Sequence, residues 1–157
     1  MDERERARRV VTTVEVSVEV VAPPERVWEV TADPRNLPHW DKHIAAVKVP
    51  RGGLSEGAGY EVRMRFMTVN ARVAAEVLRW EPPTHAVVRL RGLLDATITT
   101  TIAALPDDRS LLRQQVDYRF AGGALGQIAA RSLRALGGAE FGLKRGVMAQ
   151  KREAEDW

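Results

Sequence analysis

Apolar residues recur at every second position along most of this chain, then at every third or fourth from Ala124 onward. A period of two belongs to half-buried strands and a period near 3.6 to amphipathic helices, so the order is sheet first and helix last. Val14, Val16, Val18 and Val20 alternate with Glu15, Ser17 and Glu19 within a first strand over 10–21. Tyr60, Val62, Met64 and Phe66 alternate with Glu61, Arg63 and Arg65. Further strands are expected over 44–49, up to about Trp80, and over 86–91, 96–104 and 111–120, seven in all. Glycines at 52–59, a tight turn at Asn70, Glu81-Pro82-Pro83-Thr84, Pro106-Asp107-Asp108 and Gly122-Gly123 punctuate them. In the last third, Leu125, Ile128, Ala129, Leu133, Leu136, Leu143 and Val147 form one stripe, with Arg131, Arg134, Lys144, Arg145, Lys151 and Arg152 outside it. That pattern predicts one long helix over 124–155. The fold class is therefore α+β, a curved antiparallel sheet around a carboxy-terminal helix.

Residues 22–40 interrupt the strands with two short helices and a kink. Pro24 suits a first helical turn, and Glu25 complements the positive end of that helix. Val27 and Val30 share a face, as do Trp28 and Thr31. Asp33 reads as an N-cap before Pro34, and Pro38 as the terminator. This segment, followed by Leu78-Arg79-Trp80-Glu81-Pro82-Pro83 and the terminal helix, resembles the START-like superfamily (SRPBCC), the helix-grip fold of Bet v 1-like proteins and polyketide cyclases/dehydrases. The resemblance covers nearly the whole chain. It implies a sheet gripping the helix around a hollow, with two short helices closing one end. Superfamily members include aromatic polyketide cyclases, lipid and hormone carriers, and proteins that guard antibiotic producers against their own product. They share no catalytic motif, so the resemblance assigns no catalytic residue and the site must be argued from its own side chains.

A chain of 157 residues with 45% hydrophobic content supplies one domain with a proper core. Residues 10–157 are expected to form it, after a charged, solvated end over 1–9. The absence of cysteine excludes disulfides, thiolate metal sites and a cysteine nucleophile. No apolar leader follows Met1 and no run is long enough to span a bilayer, which reads as a cytoplasmic protein. The formal charge of +3 is spread among interleaved acids, and Glu3 and Glu5 break the only arginine run, so no nucleic-acid partner is expected. Oligomeric state is not legible.

The hollow is the candidate site. Tyr60, Met64, Phe66, Val116 and Tyr118 have the alternation to face it, and Leu136 and Leu143 would line it from the helix. Trp40 is expected at the rim. Gln114 shares the phase of Val116 and Tyr118, and either offers its amide to a ligand or lies in water at the sheet's end. Glu140 is the one weak catalytic candidate. Facing inward it would be a desolvated acid or base, and at the stripe's edge it would pair with Lys144. Small residues at Ala129, Ser132 and Ala139 favour a cavity over a solid core. Gly138, Gly142 and Gly146 recur every fourth position, for close contact with another backbone or for a helix that moves. His39-Trp40-Asp41-Lys42-His43 packs metal-ligand types together, but Lys42 repels a cation and a surface loop is expected. No cofactor is expected. The expected function is binding of a hydrophobic, polycyclic, polyketide-like molecule in natural-product biosynthesis or self-resistance. The alternative is an aromatic polyketide cyclase/dehydratase working by acid/base catalysis.

Overall fold

The computed structural model describes residues 11–157 except 67, 93, 121 and 136, and for Phe66, Val69 and Leu125 the backbone alone. The expected charged end over 1–9 and the position of Leu136 lie outside the described residues. Seven antiparallel strands form one sheet: β1 (Thr12–Val20), β2 (Ile44–Lys48), β3 (Gly59–Phe66), β4 (Val69–Glu81), β5 (His85–Gly92), β6 (Leu94–Leu105) and β7 (Arg109–Phe120). Their order is β1-β7-β6-β5-β4-β3-β2, a meander from β2 to β7 that the first strand joins from the far side. The expected strands are all present, within a few residues. Asn70 does not turn the chain: it sits inside β4 opposite Arg65, and the hairpin reverses between Phe66 and Val69.

The edge strands β1 and β2 are bridged by α1 (Pro24–Thr31), a 3-10 turn (Pro34–Asn36) and α2 (Leu37–Trp40). Pro24 opens α1 with Glu25 in its first turn, and Val27 and Val30 are its buried face. Asp33 caps the turn by accepting the Arg35 backbone N–H at 3.0 Å. Pro38 starts α2 instead of ending the segment, because a proline in a first turn forfeits no hydrogen bond.

The terminal helix is broken in two, α3 (Gly123–Ala135) and α4 (Gly138–Glu155), where one continuous helix was expected. Gly137 at φ 97° and Gly138 at φ 89° are left-handed, a conformation that ends a helix and that glycine adopts without steric cost. The amphipathic stripe survives the break, so periodicity alone does not show it.

The core is concentrated at one end of the grip. Val20, Ala22, Val27, Val30, Ile102, Leu112, Val147 and Ala154 are buried there, with Trp28, Trp40 and Leu143 packed against them. Polar ties reinforce it. Ser110 Oγ donates to the Ala22 carbonyl at 2.7 Å, and the Arg26 guanidinium reaches the Glu153 carbonyl at 3.0 Å and the Ala154 carbonyl at 3.3 Å. Arg26 thereby satisfies carbonyls that the end of α4 leaves without helical partners. The far half of the sheet meets α3, where Ala129 is fully buried against Met64, Ala71 and Phe120. A hollow remains between these two packed regions.

Candidate functional site

The hollow is a cavity of about 370 Å³ between the concave face of the sheet and α2, α3 and α4. Its walls follow from strand alternation. On β7 the even positions turn inward, so Gln114, Val116, Tyr118 and Phe120 line it while Arg113 points to solvent. Tyr60, Val62 and Met64 do the same on β3, and Ala86, Val88 and Leu90 on β5. The Tyr118 and Phe120 rings meet edge to face at 5.7 Å, which holds that wall as an aromatic surface.

The helical wall is unusually low. Gly138, Gly142 and Gly146 all line the cavity, and a Cβ built on any of them would meet nothing within 4 Å. The four-residue glycine repeat therefore faces open space and not a neighbouring backbone. Gln150 lies one step further along the same stripe and is buried. Its Oε1 accepts from Gln114 Nε2 at 3.1 Å, and Gln114 Nε2 also lies 3.3 Å from Thr100 Oγ1. All three are buried, with Gln114 bonded to both of the others, so the lining includes a neutral, satisfied polar patch.

Trp40 lines the cavity half-buried, its Nε1 donating to Glu153 Oε2 of α4 at 3.1 Å. Next to it Asp41 Oδ1 accepts the His43 backbone N–H at 2.9 Å and lies 2.9 Å from His43 Nδ1. Exposed Phe141, Lys42 and Arg145 mark the mouth. Burial of Tyr60 pushes its phenol up to about 12, so it stays a neutral hydrogen-bonding group at any ordinary pH. Neither Tyr60 nor Tyr118 hydroxyl has a hydrogen-bond partner among the described residues. Since no fully buried side-chain polar atom there lacks a partner, both hydroxyls touch open space.

Of the residues expected at the site, Trp40, Tyr60, Met64, Gln114, Val116, Tyr118 and Leu143 line the cavity. Phe66 lies on the correct strand with its side chain outside the description, as does the whole of Leu136. Glu140 does not belong: it is exposed, absent from the lining, and makes no ion pair with Lys144 among the described residues. Within α4 the cavity-facing stripe runs through Ala139, Gly142, Leu143 and Gly146, and Glu140 falls off it. Val147, expected in the same stripe, is in the solid core. Sequence reasoning missed Thr100, Gln150, Arg145 and the β5 and β6 walls. Gln150 carried a usable signal, the four-residue step from Gly146. Among the described residues no cluster of metal-ligand side chains is present.

The architecture and cavity define the class: a helix-grip protein with room for a small apolar molecule beneath its terminal helices. A family profile described as polyketide cyclase / dehydrase and lipid transport matches residues 11–149, and the chain belongs to that family. Among solved structures it is similar to the Zhui aromatase/cyclase from Streptomyces sp. R1128, at TM-score 0.73 and 18% identity over 93% of this chain and 94% of that one. A protein of Thermus thermophilus has TM-score 0.68 and 14% identity, covering 91% and 97% of the two chains. A START superfamily protein from Mycobacterium smegmatis has TM-score 0.65 and 15% identity, covering 91% and 97%. At these identities the likeness shows the fold. No curated protein matches the sequence. No helix among the described residues is long and apolar enough to cross a membrane.

Proposed function

We propose that this protein binds a hydrophobic, polycyclic, polyketide-like small molecule in the cavity, in natural-product biosynthesis or self-resistance. The cavity itself carries the reading. Its volume of about 370 Å³ falls in the range of small-molecule sites, and its lining is apolar except for a few placed polar groups. Glycines facing open space support it further, because a helix wall selected for packing would fill that side. A ligand burying about 250 Å² of apolar surface, as one large aromatic group does, gains about 6 kcal/mol before ordering costs. Micromolar affinity takes about 8 kcal/mol, so the polar groups must contribute to affinity as well as orientation.

Cyclisation or dehydration in the same cavity is the second reading, favoured by the unspent Tyr60 and Tyr118 hydroxyls, which could polarise a ligand carbonyl. It is weaker because the one carboxylate of the lining, Asp41, is engaged by His43.

Titration with anthracene-2-carboxamide, read by tryptophan emission, tests the binding reading. Saturable quenching is expected, since Trp40 and Trp80 line the cavity. Gly146→Leu should weaken binding at least about tenfold by filling the space, with no loss of melting temperature, because leucine favours a helix over glycine. Absence of quenching by any aromatic tricycle overturns the proposal.

A further inference from the structure

The ionisable lining of the cavity is unevenly placed. Asp41, Lys42, His43 and Arg145 are its chargeable lining groups other than tyrosine. Asp41 is held by two contacts from His43, the backbone N–H and the ring Nδ1, both at 2.9 Å. Lys42 and Arg145, from the segment after α2 and from α4, make no ion pair or hydrogen bond among the described residues. The mouth thus presents two cations whose charge no carboxylate of the described residues answers. The buried polar group of the lining, Thr100, Gln114 and Gln150, is neutral and already bonded within itself.

We propose that the ligand is an aromatic acid, held with its apolar ring system inside and its ionised carboxylate at the mouth between Lys42 and Arg145. This rests on the cavity-binding reading and adds the charge and orientation of the ligand. Desolvation decides the orientation. A carboxylate driven to that buried polar group would lose its hydration in exchange for amides that already have partners, whereas at the mouth it keeps water on one side and gains two cations. Neutral oxygens on the ring system then meet the Tyr60 and Tyr118 hydroxyls, which accept or donate without a charge change. The net positive charge of the chain, +3, adds a weak long-range attraction for the acid.

The test compares anthracene-2-carboxylate with anthracene-2-carboxamide, near-isosteres that differ in charge, at about pH 8, where the ligand carboxylate is ionised. At about 0.01 M salt the carboxylate should bind about five- to tenfold more tightly, and the ratio should shrink as salt rises. In a Lys42→Gln/Arg145→Gln variant, whose two sites are exposed, the ratio should fall toward one. Equal affinities in the unaltered protein overturn the acid proposal and leave cavity binding standing. A ratio that persists in the double variant also overturns it, by placing the anion elsewhere. Failure of both compounds to bind overturns the acid proposal together with the cavity reading.

Discussion

Tyr60 shows how a single side chain serves an apolar cavity. Burial raises its phenol from an ordinary 10.0 to about 12, so the folded state resists ionisation that the unfolded chain accepts near 10. The sign follows: Tyr60 does not penalise folding below pH 10.0, and stability is lost as pH climbs from there toward about 12, while the unfolded chain ionises first. Urea unfolding at about pH 9 and about pH 11 should therefore show a smaller alkaline loss in Tyr60→Phe than in the unaltered protein. An equal loss in both would mean that Tyr60 is not desolvated. Glu155 runs the other way. Burial raises its carboxyl, but the Lys151 ammonium and the Val21 N–H more than offset this and hold it below the usual carboxylate range.

At the scale of elements, glycine has two distinct uses in the terminal helices. Gly137, left-handed at φ 97°, breaks the helix, and a Cβ there would also crowd the Phe141 ring at 3.1 Å. Gly142 is right-handed inside α4 and its Cβ position is empty. Gly142→Ala should therefore stabilise the protein by about 0.5–1 kcal/mol, through the lower chain entropy of the unfolded state. Gly137→Ala should destabilise by at least about 1 kcal/mol, because alanine is strained in that backbone region. Denaturant midpoints of the two variants, moving in opposite directions, check the assignment. A matching shift in both would show that the break is incidental.

For the whole molecule, the division between a solid end and a hollow end matters most. At the solid end Arg26 ties α1 to the last carbonyls of α4, and the Lys151 ammonium bonds the Glu19 carbonyl at 3.0 Å. These ties anchor α4 from its carboxy-terminal half, leaving the glycine-lined half to span the cavity. Arg26→Met keeps most of the side-chain volume and removes the charged donors. It should cost about 1–3 kcal/mol in chemical denaturation and lower the melting temperature. An unchanged midpoint would mean that packing alone secures the helix.

The strands, the Ala22–Trp40 insertion and the inward phases of β3 and β7 were legible in the sequence, because alternation, proline placement and capping are local and leave their period in the residues. The same locality explains why the break at Gly137 was hidden: glycine is compatible with a continuous weak helix, and only the positive φ of the folded backbone separates the two. It also explains Glu140, whose exposure depends on which face of α4 the sheet and α2 cover, and Gln150, whose partners Thr100 and Gln114 are distant in the chain. Whether facing side chains meet or stand apart is a sum over all the elements around them. Residue order determined which faces are apolar; tertiary packing decided that those faces enclose a void and which charges stand at its mouth.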